Sequence, residues 1–135
     1  MVDLESTTFE RGWTGALGAS FIGAGILGFM SGDHLWFLGL SEIHNLAHLV
    51  TGIIALLFAL LAGGAYAARF NQVIGLSYAG FAILGFIGFP DFLVGLFNLN
   101  EGTNWFHLAV GLATLVVGIG IELPYKYTPD WWKTS

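Results

Sequence analysis

The chain has 135 residues, 56% of them hydrophobic and only 10% charged, with a net charge of −5 and a mean hydropathy of +0.75. Soluble domains carry about 25% charged residues, so this composition cannot solvate a water-facing surface and points to lipid as the solvent. Four scattered basic residues exclude a nucleic-acid footprint, and the absence of cysteine excludes disulfide and thiol chemistry.

The start, MVDLESTTFERGW, is acidic ahead of its first apolar run and does not read as a basic secretory leader. The first hydrophobic segment, from about Trp13 to Met30, is therefore expected to be retained as a span. A loop with the segment DHLWFLGLS follows, apolar enough to lie on the membrane surface. The second span runs from about Ile43 to Ala62. Asn71 and Gln72 are expected to cap the third, from about Val73 to Phe89, which Pro90 stops. PDFLVGLFN is a second surface segment, ahead of a polar loop at 98–104. The fourth span runs from about Asn104 to Leu123 and ends at Pro124. A span of hydrocarbon needs about 20 helical residues, and backbone groups in lipid must be satisfied within the segment, so these are helices. Glu122 lies at the end of the last helix, with Lys126 placed to offset it.

All four basic residues, Arg11, Arg69, Lys126 and Lys133, fall in the same alternate set of loops. The positive-inside rule then places both termini in the cytoplasm of a multi-pass cell-membrane protein. Trp13, Tyr66, Tyr125, Tyr127, Trp131 and Trp132 are expected at the cytoplasmic boundary. Trp36, Phe37 and Trp105 are expected at the outer one.

The chain also repeats itself. NLAHLVTG (45–52) and NWFHLAVG (104–111) both read N-x-x-H-L-x-x-G, offset by 59 residues. ILGF occurs at 26–29 and 83–86, offset by 57, and Asp33 and Asp91 are offset by 58. The expected fold is all-α: one membrane domain over 1–135, with four transmembrane helices as two parallel two-helix repeats. The repeats span about 12–67 and 70–124, related by a pseudo-twofold axis along the membrane normal.

Residues three and four apart share a helix face. Asn104, His107, Gly111, Thr114, Gly118 and Glu122 form one such stripe, and Asn45, His48, Gly52, Ala55, Ala59 and Gly63 another. Polar groups at membrane depth are costly and usually face a protein interior, so Asn45, His48, Asn104 and His107 are expected to face the bundle, as interhelical hydrogen bonds or as a ligand site. His44 and His48 lie one turn apart, a spacing that suits zinc, copper or another metal that takes imidazole. His34, Asp33, Glu42 and Glu101 could complete a shell. His48 and His107 could instead clamp a haem. A bound lipid, quinone or pigment is the remaining ligand expectation. No nucleophile elbow, P-loop or dinucleotide fingerprint is present, so no enzyme is expected.

The paired motifs, with GL at 39–40 and 95–96 ahead of them, resemble the four-helix bacterial and archaeal integral membrane proteins catalogued as a domain of unknown function. The resemblance covers roughly residues 12–122 and implies fold and location alone. The expected role is a non-catalytic accessory or packing subunit, held in the bilayer against a larger complex or against itself. The alternatives are a metal- or haem-binding redox protein and a small oligomeric transporter or channel.

Overall fold

The computed structural model describes residues 8–120, and of Ala62, Gly63 and Gly120 the backbone alone. Helix α1 (Thr8–Ser31) is followed by a small antiparallel hairpin, β1 (His34–Leu35) and β2 (Leu38–Gly39), then α2 (Glu42–Leu60) and a 3-10 turn (Leu61–Gly64). Helix α3 (Ala67–Ile87), the short α4 (Asp91–Phe97) and α5 (Glu101–Gly120) complete the described chain. Helices α1, α2, α3 and α5 are each long and apolar enough to cross a membrane. Their outward residues, among them Ile53, Leu57, Val73, Leu76, Ile83 and Val116, are exposed aliphatics suited to lipid.

All four long helices begin earlier than hydropathy predicts: α5 starts at Glu101, inside the expected 98–104 loop, α2 is one residue early, and α1 and α3 are the earliest. Residues 9–11 continue α1 because their polar groups have partners inside the bundle. Glu10 is buried, and Arg11 Nε donates to the Ala59 carbonyl at 2.8 Å. Asn71 and Gln72 do not cap α3, which starts at Ala67. Asn71 is fully buried and accepts from Thr14 Oγ1 at 2.9 Å, while Gln72 Nε2 donates to the Gly118 carbonyl at 2.7 Å. These amides join helices, so their polarity does not mark a helix start. At the other end α3 stops at Gly88, not at Pro90. Gly88 takes φ +72, a left-handed cap that glycine adopts without a Cβ penalty, and its N–H meets the Leu84 and Gly85 carbonyls. The segment 33–41 forms the hairpin and 91–97 a helix. Asn98 Nδ2 ties them together by donating to the carbonyls of Asp33 and Leu40.

Helix α1 packs chiefly on α2, and α3 chiefly on α5. In both pairs glycines let the backbones touch. A Cβ on Gly18 would lie 2.9 Å from the Gly52 carbonyl oxygen, and one on Gly75 would lie 2.8 Å from that of Gly111. Between the pairs, α1 meets α3 through Thr14 against Asn71 and through Phe21 stacked on Tyr78, ring centroids 4.9 Å apart. The expectations for Glu122, Pro124, Tyr125, Lys126, Tyr127, Trp131, Trp132 and Lys133 lie outside the described residues.

Candidate metal centre

Capping fixes which residues of α2 and α5 face inward. Ser41 Oγ accepts the His44 N–H at 3.1 Å and starts α2. Asn100 Oδ1 accepts the Thr103 N–H at 2.8 Å and starts α5. From these starts the helical period buries His44, Asn45, His48, Gly52, Ala55 and Ala59 on α2, and Thr103, Asn104, His107, Gly111, Thr114 and Gly118 on α5. The inward stripes read from spacing are the same ones, as far as the described side chains extend.

The asparagines and the histidines then part company. Asn45 lies over Gly28 of α1, where a Cβ would come within 2.0 Å of its Oδ1, and Asn104 lies over Gly85 of α3 in the same way. Each Oδ1 lacks a conventional hydrogen-bond partner, so the contact with the glycine is of the weak Cα–H···O kind. These two residues wedge each helix pair together and do not belong to the histidine group.

His44, His48 and His107 come together at the seam between the two pairs. One nitrogen from each lies within 4.8 Å of the others, and all three side chains are buried. His44 Nε2 and His107 Nε2 are 3.3 Å apart. His44 Nδ1 lies 2.9 Å from the Phe97 carbonyl. That oxygen can only accept, so Nδ1 carries the proton and Nε2 presents its lone pair toward His107. Both ring nitrogens of His48 and Nδ1 of His107 have no hydrogen-bond partner. Phe21 stacks on His48 with centroids 5.4 Å apart, and Tyr78 sets its edge on His107 at 5.0 Å while its hydroxyl bonds Thr51. The aromatic rings make the surroundings apolar.

The other residues read as ligands stand elsewhere. His34 and Asp33 are exposed and pair with each other at 2.6 Å. Glu42 and Glu101 are exposed in the first turns of α2 and α5. Among the described residues no carboxylate joins the cluster. A haem between His48 and His107 does not fit this packing. His44 lies 4.5 and 5.2 Å from their ring centroids and fills the gap that a macrocycle would need.

Two cavities meet His48. One, of about 240 Å³, lies between α2 and α3 and is lined by His44, His48, Tyr78, Phe97 and His107. The other is a cleft of about 700 Å³ between α1 and α5, roofed by the hairpin at Trp36 and Phe37. Sequence reasoning missed Phe21, Tyr78, Thr103 and the Phe97 carbonyl. A signal existed for the first two. They are 57 apart, the spacing of the ILGF strings.

No curated protein and no solved structure matches the chain. A family model does match, across residues 11–120, and takes in all four apolar helices and the three buried histidines. The chain therefore belongs to DUF4383, a family defined as a domain of unknown function.

Proposed function

We propose that this protein is a metal-binding integral membrane protein, and that His44, His48 and His107 hold a transition-metal ion that accepts imidazole, zinc or copper. The observation that carries this reading is the 3.3 Å approach of two imidazole Nε2 atoms in a closed cluster of three. Two nitrogens each about 2.0–2.1 Å from a tetrahedral ion lie about 3.3 Å from each other. The His44 contact to the Phe97 carbonyl is the outer-shell bond that metal-ligating histidines make. Three imidazoles leave a fourth position for water or hydroxide, which can meet part of the charge of the ion. Without an ion, a hydrogen bond from His107 to His44 satisfies one pair and leaves three buried ring nitrogens unmet, at roughly 1–3 kcal/mol each.

The test is metal analysis of protein purified without chelator, followed by titration with Co²⁺, whose absorption reports tetrahedral nitrogen coordination. One ion per chain is expected. Failure to bind zinc, cobalt or copper in the micromolar range would overturn the reading. The packing-subunit expectation rests on the glycine-lined helix faces, the small soluble portion and the lack of mid-membrane ionisable groups; neither it nor the channel expectation accounts for the convergence of three histidines.

We further propose that the metal lies toward the outer side of the cell membrane, with both termini cytoplasmic. Arg11 and Arg69 support this, since they start α1 and α3 at the end remote from the histidines. Single cysteines at Ser31 and Ser41 are expected to react with an impermeant maleimide in intact cells, and those at Ser6 and Ser135 to stay unlabelled until lysis. The reverse pattern would invert the topology. Duplication of a two-helix unit is part of the same proposal. It is supported by matched pairs at two offsets: Gly18 with Gly75 and Gly28 with Gly85, then Asn45 with Asn104 and Gly52 with Gly111.

A further inference from the structure

We infer that Ser41 and Asn98 are positioning residues for His44. They hold the end of α4 on the start of α2, so that the Phe97 carbonyl keeps the His44 proton on Nδ1 and leaves Nε2 open to the ion. The hold on His44 stands on its own geometry, and its effect on an ion rests on the metal reading above.

The carbonyls that α4 leaves over are the first ground. The last carbonyls of a helix have no partner within it. The N–H groups of Asn98 and Leu99 close α4 on the carbonyls of Gly95 and Val94. The next two carbonyls, of Leu96 and Phe97, cross to α2. Ser41 Oγ donates to Leu96 at 2.7 Å and His44 Nδ1 to Phe97 at 2.9 Å. The Ser41 hydroxyl thus fixes the peptide next to the one that His44 meets. A proton on Nε2 would instead point at His107 Nε2, 3.3 Å away, and close the position that the ion needs.

Asn98 is the second ground. Its Nδ2 donates to the Asp33 carbonyl at 2.9 Å and to the Leu40 carbonyl at 2.8 Å. The Leu40 N–H also meets the Asp33 carbonyl, so one amide clamps the closed base of the hairpin, one residue ahead of Ser41. Gly39, a second backbone partner of His44, packs against the Asn98 carbonyl. Asn98 therefore joins the two segments that carry the backbone partners of the imidazole. Helix α4 has no buried residue, so its end is placed by these bonds more than by an apolar face.

The third ground is a matched arrangement without a histidine. Asn100 and Phe37 stand 59 residues from Ser41 and Leu96, and Asn100 Nδ2 donates to the Phe37 carbonyl at 3.1 Å. Thr103 stands 59 residues from His44 and donates to the Gly39 carbonyl at 3.1 Å. The hairpin thus holds the start of α5 as α4 holds the start of α2. A histidine lies under this hold at α2 alone.

The test uses the full chain in a neutral detergent, with NMR of labelled histidine ring nitrogens on metal-free protein and Co²⁺ titration alongside. His44 is expected as one tautomer, protonated at Nδ1. Asn98→Gly keeps the left-handed backbone of this position and removes both amide bonds. It is expected to turn His44 into a mixture of tautomers and to weaken Co²⁺ binding about tenfold, the lower end of what losing an outer-shell partner costs. Ser41→Gly, a residue accepted at a helix start, should do the same, and Ser41→Thr, which keeps the hydroxyl, should match the wild type. Asn100→Asp is the control. It loses the bond to Phe37, keeps the Oδ1 that starts α5, and is expected to leave the His44 signals and Co²⁺ affinity unchanged. A single Nδ1-protonated His44 in both glycine variants would overturn the inference, with or without a bound ion. So would an equal effect of Asn100→Asp, the mark of general loosening. Wild-type protein that takes up no Co²⁺ while the variants still show the tautomer change would remove the metal reading and leave the positioning role standing.

Discussion

Replacing His107 by leucine is expected to lower metal affinity by more than about 100-fold, since loss even of an outer-shell partner costs about 10–100-fold. Leucine fills the volume of the imidazole, so α5 keeps its packing between Tyr78 and His44. The measurement is a competition titration against a chromophoric chelator, paired with thermal unfolding in detergent. An ion that binds the folded state alone stabilises it by about 2.7 kcal/mol at a concentration 100 times its Kd. The wild-type chain should therefore gain Tm on adding metal, and the variant should gain none. If the cluster were only packing around the His44–His107 hydrogen bond, the variant would lose stability and neither protein would respond to metal.

The second large effect concerns a glycine. Gly111→Leu is expected to destabilise the bundle by about 3 kcal/mol or more, at the upper end of overpacking costs. A Cβ on Gly111 would fall 2.5 Å from the Ala79 backbone nitrogen and 2.9 Å from the Gly75 carbonyl oxygen. Backbone atoms lie on the far side, so no side-chain rotation relieves the clash and α3 must separate from α5. Gly80→Ala is the matched control. Its Cβ meets nothing within 4 Å, and removing an interior helix glycine gains roughly 0.5–1 kcal/mol. Unfolding of both variants in one detergent should move Tm in opposite directions. Equal shifts would mean that the helices do not touch at the Gly75 and Gly111 backbones.

The spans were legible because lipid imposes one rule on every residue of a helix, and hydropathy integrates it over some twenty positions. The ends were less so. Near a boundary a polar side chain can face water, cap a helix or cross to a neighbour, and spacing does not distinguish these. Asn71 read as a cap because it precedes an apolar run, and its partner Thr14 is 57 residues away. Likewise His44 and His48 were visible as a pair through their one-turn spacing, and His48 and His107 through the repeated motif. That one site holds all three depends on how the two helix pairs dock. The carboxylates near these motifs looked like ligands because nearness in sequence was the only distance available. Helix start positions then put Glu42 and Glu101 on outer faces.

The tight glycine contacts between the long helices lie within each helix pair, while the seam between pairs is joined by side-chain hydrogen bonds such as Thr14 to Asn71 and by the loops at the histidine end. The histidines span that seam, two from α2 and one from α5. An ion held there works as a rivet between two subassemblies that each hold themselves together. Its binding energy goes into the cooperativity of the whole bundle more than into either half. A chain stripped of metal would then unravel in two steps, and a loaded one in a single step. Chelation would change the shape of the melting curve as well as its midpoint.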